Sequence, residues 1–454
     1  MFSVHQRRVV VVGAARSGVA AAELLAKRGA AVMLTDLRPA IESADALRAS
    51  GVALELGSHR PESFARADLV VVSPGVPPEH PALQAARERG VEVIGELELA
   101  WRWIQGRVIA ITGTKGKSTT TTLVGRMLAA AGRQVLVGGN IGVPLSAQVE
   151  QSTPDTVHVV ETSSFQLETT TTFRPWIAVW LNFTDDHLDR HPSIEAYAAA
   201  KARIFANQTA EDWAVINADD AVVVARSRAI HARPVLFAPS GRVTDGVVVE
   251  SDWIVKRTAA GVERLVPAAA VELTGRHMLH NVLAAAATAS TAGCAPEAMR
   301  SALRGFRGLE HVMEPAGEVA GVRFVNDSKA TNVEAARRSI ESFSGGVVAI
   351  IGGRFKGGDL TGLRAALAAS GRAVVAIGEA APRVRDALGG VVPIVGAASM
   401  REAVERGYEA AAPDGVVLLA PACASFDWFR DYAERGNVFK EEVARLRREK
   451  AAER

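Results

Sequence analysis

The sequence predicts an α/β protein with three successive domains, each built on a largely parallel sheet. Three observations carry that expectation. Short β-branched runs alternate with helix-forming stretches along the chain, glycine turns punctuate the alternation, and polar residues gather just past several strand-like runs. At 454 residues, 48% hydrophobic and 22% charged, the chain has length for about three domains, each able to bury a core. Fifty-two basic residues against 50 acidic ones give a net charge of +2. That balance excludes a broad electrostatic footprint for nucleic acid or an anionic membrane, so any anion site must be local. Cys294 and Cys423 lack metal-ligand spacing, and two cysteines in so long a chain suit a reducing cytoplasm. Arg7-Arg8 precede only the short run Val9–Val12, a strand rather than an export signal. No apolar run reaches membrane-spanning length; the alanine-rich stretch after Asn281 is interrupted by Thr288, Ser290 and Thr291.

The first segment, residues 1–98, contains strands at Val9–Val12, Ala31–Thr35 and Leu69–Val72, with a helix over Val19–Lys27 closed by Gly29. Such alternation implies a doubly wound sheet with ligands at the carboxyl ends of its strands. The first turn, Gly13 to Gly18, with Asp36 closing the second strand, imitates a dinucleotide fingerprint, but Ala15 stands where the middle glycine belongs. A plain tight turn and a nucleotide-binding turn explain it equally well. An anion or ribose site formed by Gly13–Gly18, Asp36 and Ser73–Gly75 is the functional version.

The second segment, residues 99–307, carries the most informative stretch. The strand Val108–Ile111 runs into Gly113-Thr114-Lys115-Gly116-Lys117-Ser118, and an amphipathic helix with Leu123, Val124, Met127 and Leu128 follows, ending at Gly132. Backbone N–H groups of such a turn, with the positive end of the helix, attract phosphate oxygens. Lys117 would reach the terminal phosphates, and Ser118 would offer its hydroxyl to Mg²⁺. Only two residues separate the two glycines where the usual loop has four, which marks ATP binding of a compressed subtype. The strand Val157–Val160 ends in Glu161, a carboxylate suited to Mg²⁺ beside a phosphate loop. After the apolar strand Trp176–Leu181 comes a polar run, Asn182 to His191, that reads equally as a site or as a solvated loop with a structural histidine. Ser193 suits the N-cap of a helix holding Lys201, which taken alone is an ordinary surface lysine.

The third segment, residues 308–454, alternates again, with strands at Val322–Val325, Val347–Ile351, Val374–Ile377 and Val416–Leu419. Polar residues gather at the carboxyl ends: Asn326–Asn332, Gly352–Lys356, Gly378-Glu379 and Pro421–Asp427. Several such loops in register make a binding edge. Cys423, with no histidine base near it in sequence, is expected to be a small buried hydrophobe.

Taken together, these motifs resemble those of the Mur ligases, ATP-dependent amide-forming enzymes of peptidoglycan precursor synthesis, and the resemblance covers the whole chain. Gly113–Thr119, Gly139-Asn140-Ile141-Gly142, Glu161–Gln166 and His187-Leu188-Asp189-Arg190 belong to the general pattern, while Asn326–Asn332 and Pro421–Asp427 point to the D-glutamate-adding branch. The resemblance implies a Rossmann-like N-terminal domain, a central P-loop ATPase-like domain and a Rossmann-like C-terminal domain. It implies a cytoplasmic monomer that joins D-glutamate to UDP-N-acetylmuramoyl-L-alanine, using ATP and two Mg²⁺ ions, with Mn²⁺ as a substitute. Under it, Ala15, Arg16, Asp36, Ser73 and Gly75 hold the uridine diphosphate, and Asn140 and His187 touch the muramoyl substrate. Gly113, Thr114, Lys115, Gly116, Lys117, Ser118 and Thr119 cradle ATP, with Asn281 at adenine and Asp327 and Lys329 at ribose or phosphate. Ser118, Glu161, His187 and a carbamylated Lys201 place the metals; Lys117, Glu161, His187 and Lys201 form the catalytic set. Thr331, Lys356, Ser425, Phe426 and Tyr432 receive D-glutamate.

The chain departs from the pattern twice. Val312 stands where an arginine usually contacts the nucleotide phosphates, and Met278 where an asparagine is usual; Arg304 and Arg307 are candidates for the missing charge. Three rival readings remain at this level: a ligase of the same architecture for another amino acid or for folate, a nicotinamide-dependent dehydrogenase suggested by the first turn and Asp36, and a non-catalytic ATP-binding homologue.

Overall fold

The structure, a computed structural model, describes residues 2–186, 190–270, 276–306, 308–355, 357 and 359–453. Residues up to 306 form one compact unit and residues 307–454 a second.

The first unit contains two sheets. Strands β1 (Arg8–Val12), β2 (Ala31–Asp36), β3 (Ala53–Leu56), β4 (Leu69–Val72) and β5 (Glu92–Gly95) form an all-parallel sheet in the order β3-β2-β1-β4-β5. Its valine runs are explained by burial on both faces. Val9 and Val11 pack with Leu34, Leu69 and Val71 on one side, while Val10 and Val12 pack with Phe64, Val70 and Val72 on the other. The direction of winding reverses between β1 and β4, so a crevice opens at their carboxyl ends. The expected helix begins earlier than the apolar pattern suggests, spanning Arg16–Lys27.

The second sheet has nine strands: β6 (Arg107–Thr112), β7 (Gln134–Gly139), β8 (Thr156–Glu161), β9 (Ile177–Trp180), β10 (Trp213–Asn217), β11 (Arg233–Ala238), β12 (Gly246–Glu250), β13 (Trp253–Thr258) and β14 (Gly261–Pro267). Their order is β14-β13-β12-β11-β10-β9-β6-β8-β7. Pairing is parallel from β7 across to β12, and β13 and β14 add an antiparallel edge. That edge lies outside the βα alternation visible in the sequence. The two sheets are tied through the helix Glu96–Trp101. Its buried Glu98 accepts hydrogen bonds from the Thr171, Thr172 and Phe173 N–H groups and from the Arg102 guanidinium.

In the second unit, β15 (Glu314–Val319), β16 (Val322–Asn326), β17 (Val347–Gly352), β18 (Gly371–Ile377), β19 (Ile394–Ala397) and β20 (Val416–Leu419) are ordered β15-β16-β20-β17-β18-β19. All pairs are parallel except β15–β16. That hairpin turns through Ala320 and Gly321, both with positive φ, at 47° and 91°, the geometry a tight two-residue connection demands. The helix Tyr432–Ala452, capped by the Asp431 side chain, buries Phe439, Val443 and Leu446 against the sheet. Among the described residues no helix is long and apolar enough to cross a membrane.

Candidate active site

The site is built at the carboxyl end of β6, the strand that lies between β8 and β9 in the nine-stranded sheet. Past Thr112 the chain turns through Gly113 (φ 155°) and Gly116 (φ 78°), and the helix Lys117–Ala130 begins with Gly116 as its N-cap. Gly116 is required twice over. Its left-handed φ disfavours a side chain, and a Cβ there would meet Asn281 Oδ1 at 2.0 Å. The turn is braced from the neighbouring strand: Asn182 Oδ1 accepts the Thr114 and Lys115 N–H groups at 3.1 and 2.9 Å, and Asn182 Nδ2 donates to Lys115 O at 3.1 Å. Thr114 Oγ1 donates to Thr184 O and meets the Tyr197 hydroxyl at 3.3 Å. The compressed loop is therefore held by side chains from outside it, and its helix end is free of acidic residues in the first turn.

Two lysines converge on one carbonyl. Lys117 Nζ donates to Gly113 O at 2.9 Å and to Thr114 O at 3.0 Å; Lys201 Nζ donates to the same Gly113 O at 2.8 Å. Lys201 lies on the helix Ile194–Ala202, whose N-cap Ser193 accepts the Ala196 N–H. Only 1% exposed and 4.7 Å from the centre of the Tyr197 ring, it is not the surface lysine that its sequence context suggests. Burial pushes its ammonium well below the ordinary lysine range; the nearby charge of Lys117 adds to that, and Asp186 and Glu161 oppose it.

At the end of β8, Glu161 is buried, and its two oxygens are divided. Oε2 accepts the Ser118 hydroxyl at 2.6 Å, and Oε1 accepts Asn140 Nδ2 at 2.7 Å. Among the described residues no group of three His, Cys, Asp or Glu side chains could hold a metal ion. A metal here would rest on hydroxyl, carboxylate and ligand oxygens, a hard-donor set that fits Mg²⁺. His187, singled out as a ligand, lies outside the described residues. His191 is buried, with Nε2 2.9 Å from Ser164 Oγ, Nδ1 3.0 Å from Glu168 Oε1 and its ring stacked on Phe165. Arg190 donates to Val76 O at 3.1 Å, joining the polar run to the turn that follows β4.

The crevice of the first sheet is a cavity of about 420 Å³ lined by Gly13, Ala15, Arg16, Asp36, Ser73, Gly75 and Asn140, among others. Asp36 closes the first turn by accepting the Ala14 N–H at 2.6 Å and the Arg38 guanidinium at 2.9 and 3.0 Å. That guanidinium holds the Asp36 carboxyl well below the usual carboxylate range, and the Ala14 N–H contributes. A Cβ on Gly18 would sit 1.8 Å from Gly13 O, so the turn needs its second glycine for packing alone. Arg16 reaches Gly142 O at 3.1 Å, and Ser73 Oγ donates to Gly13 O at 2.9 Å. The tight-turn reading accounts for these contacts, and the cavity supplies room for a ligand beside them.

In the second unit the loops after β16, β17 and β20 form their own edge. Asp327 is buried, accepting the Met313 N–H at 3.2 Å and the Ser339 hydroxyl; burial pushes its carboxyl up, against those bonds and the charge of Lys329. Ala422 N donates to Ala330 O at 2.9 Å, which locks the Thr331 loop to the Ser425 loop. Ser425 is buried, while Phe426 and Tyr432 are 59% and 38% exposed. Lys356 and Arg307 lie outside the described residues. Val312 donates its N–H to Leu309 O, and Met278 Sδ accepts Asn281 Nδ2 at 3.7 Å. Cys423 is fully buried, as its small apolar side chain suggests.

The nine-stranded sheet, the braced glycine loop and the Ser118–Glu161 pair define the class: a multidomain α/β protein with a strand–glycine loop–helix unit on an interior strand of its largest sheet. Family models match most of it: the Mur ligase MurD-like N-terminal domain over residues 7–95, the Mur ligase middle domain over 111–289 and the Mur ligase glutamate ligase domain over 313–423. The chain belongs to the Mur ligase family. The UDP-N-acetylmuramoylalanine–D-glutamate ligase of Acidobacterium capsulatum is 47% identical over 96% of both chains, and that of Koribacter versatilis 43% identical over 98% of both. The solved UDP-N-acetylmuramate–alanine ligase of Thermotoga maritima shares the fold, with a TM-score of 0.58 and 20% identity over 97% of this chain and all of that one.

Asn182, the first residue of the polar run, and Tyr197 brace the loop through contacts made only after folding, and Arg38, which the sequence did not single out, binds Asp36 two residues away. A basic residue following the strand-ending aspartate was the one available signal for the last.

Proposed function

We propose that this chain is an ATP-dependent ligase that joins D-glutamate to UDP-N-acetylmuramoyl-L-alanine through an acyl phosphate, releasing ADP and phosphate. Residues 1–98 would bind the uridine substrate, 99–307 ATP and 308–454 the amino acid. The observation that carries the reading is the convergence of Lys117, Lys201, Ser118 and Glu161 on one glycine loop. Relatives of nearly equal length that bear the D-glutamate ligase name support it.

A carboxylate is a poor electrophile, so amide formation at neutral pH needs it activated. The L-alanyl carboxylate would attack the γ-phosphorus of ATP, its oxygen forming the new P–O bond as the bond to ADP breaks. The neutral amine of D-glutamate would then attack the acyl carbon, its nitrogen would give up a proton to the departing phosphate or to solvent, and phosphate would leave from the tetrahedral intermediate. Lys117 and the N–H groups of Gly113–Thr119 would hold the transferring phosphoryl group, and Asn281, packed against Gly116, would border the nucleotide. Ser118 and Glu161 would hold one Mg²⁺, which supplies charge neutralisation between the two anions. A second Mg²⁺, with Mn²⁺ as a substitute, would fall to His187 and Lys201.

For Lys201 the proposed form is a carbamate. Its burial favours the neutral, nucleophilic amine, and addition to CO₂ with loss of a proton would turn one of two crowded cations into an anion. Asp36, Arg16, Ala15, Ser73 and Gly75 would face the uridine diphosphate, and Asn140, oriented by Glu161, the muramoyl group. Asp327 and Lys329 would serve the nucleotide, and Thr331, Lys356, Ser425, Phe426 and Tyr432 the amino acid. The enzyme would act in the cytoplasm as a monomer.

The test is ADP release with UDP-N-acetylmuramoyl-L-alanine and, separately, D-glutamate, L-glutamate and L-alanine. Turnover with D-glutamate alone is expected. Turnover with another amino acid, or none with any, would overturn the reading.

A further inference from the structure

Arg435 is 1% exposed and sits one turn into the helix Tyr432–Ala452. Its guanidinium donates from Nε to Ser328 Oγ at 2.9 Å, from Nη2 to Ser328 O at 2.8 Å and from Nη1 to Cys423 O at 3.1 Å. Ser328 follows β16, and Cys423 follows β20. The loop after β17 closes on the same group, because a Cβ on Gly353 would lie 3.2 Å from Arg435 Nη1. Ser328 Oγ in turn donates to Tyr432 O at 2.8 Å. Three loops and a helix start therefore meet on one planar fork. Among the described residues none of the ion pairs includes Arg435; Asp427, a carboxylate that acts on it through space, accepts the Glu379 N–H at 3.0 Å. Burial lowers its pKa to about 10, which leaves it protonated at neutral pH.

A buried charge whose hydrogen bonds all go to neutral oxygens, with one carboxylate acting only through space, is a poor device for stability, since an apolar side chain of similar volume commonly does as well or better. The same charge under a ligand edge is useful, because low dielectric lengthens its reach toward an anion. The loops it clamps carry Thr331, Ser425 and Phe426, and its helix begins at Tyr432. A Lys could supply the charge without the fork, and a Gln part of the hydrogen bonding without the charge.

We infer that Arg435 is a positioning residue for the amino-acid pocket: its buried fork sets the spacing of the three loops, and its charge biases the pocket toward a dicarboxylic amino acid. The inference rests on the function proposed above. No contact between Arg435 and the substrate is required, so its effect reaches the reaction through Ser328, Cys423 and the loops they anchor.

The test is steady-state kinetics on the full chain for the parent, Arg435→Met, Arg435→Lys and Ser328→Ala, each with a melting curve. Arg435→Met should raise the KM for D-glutamate by about tenfold or more, with the KM for ATP within about twofold of the parent. It should also shrink the preference in kcat/KM for D-glutamate over D-glutamine, which carries a single carboxylate. Arg435→Lys should recover that preference in part while keeping a raised KM, and Ser328→Ala should raise the D-glutamate KM by a few-fold, on the order of one lost buried hydrogen bond. If Arg435→Met fails to fold, the lysine and Ser328 variants decide the matter. An unchanged D-glutamate KM and an unchanged glutamate-to-glutamine ratio in the folded variants would overturn the inference alone, as would a fall in activity that only tracks the folded fraction. Absence of D-glutamate-dependent turnover in the parent would overturn the underlying function, and the inference with it.

Discussion

Replacing Lys201 by methionine should separate catalysis from stability. Methionine keeps most of the aliphatic volume and removes the ammonium, so no large cavity opens. The fold loses one hydrogen bond to Gly113 O, worth about 1 kcal/mol net. It also no longer buries a cationic group beside Lys117, a burden of up to several kcal/mol when uncompensated. Because the folded-state pKa lies below the ordinary 10.5, the unmodified lysine costs stability below its folded pKa, and that cost fades as pH rises toward the unfolded value. Lys201→Met should therefore melt at or above the temperature of carbamate-free parent at pH 7, and the gap should narrow in alkaline buffer. ADP release should fall by roughly 10²- to 10³-fold or more, the scale of losing one preorganised electrostatic group. Small carboxylates should partly restore the smaller Lys201→Ala variant. Scanning fluorimetry across pH, paired with a coupled ADP assay with and without bicarbonate, reads both effects. Near-parental activity in Lys201→Met would refute the carbamate, and a melting point many degrees lower would refute the energetic reasoning.

Other substitutions probe the remaining parts of the site. Glu161→Gln should lower turnover by on the order of 10²-fold and raise the Mg²⁺ concentration needed for half-maximal rate, read by titrating metal at fixed ATP; an unchanged Mg²⁺ requirement would count against its ligand role. Gly116→Ala puts a methyl group against Asn281 and costs about 1–2 kcal/mol through its left-handed φ alone, so ATP affinity measured by calorimetry should drop several-fold or more. Asp36 has a depressed pKa, so it stabilises the fold above its unfolded value near 3.8, and this contribution disappears as pH falls through the folded pKa. The melting temperatures of the parent and Asp36→Asn should accordingly converge on acidification, while at pH 7 the variant should show a raised KM for the uridine substrate. Equal melting temperatures at pH 7 would remove the Asp36–Arg38 pair from the account.

The parallel core was legible because buried strands advertise themselves: Val9–Val12, Val108–Ile111, Val347–Ile351 and Val416–Leu419 are all apolar on both faces. The antiparallel edge from β12 to β14 was not, since its last strand exposes Val262, Glu263 and Arg264 and carries little periodic signal. In the site, Gly113–Ser118 and Glu161 could be read because chemistry dictates residue type and spacing within a few positions. Lys201 is 88 residues from the carbonyl it binds, and nothing local distinguishes it from a solvated lysine. Its burial depends on the packing of Tyr197 and on the loop supported by Asn182. The role of Arg435 is concealed for the same reason: Ser328, Gly353 and Cys423 become neighbours only after three strands align.

The account stands on transfer of the γ-phosphoryl group to the carboxylate of the uridine substrate, and isotope transfer measures that step directly. UDP-N-acetylmuramoyl-L-alanine carrying ¹⁸O in its alanyl carboxylate would be turned over with ATP and D-glutamate, and the inorganic phosphate analysed by mass spectrometry. One ¹⁸O atom from the acid should appear in each phosphate released. Unlabelled phosphate accompanying full amide formation would contradict the acyl-phosphate route.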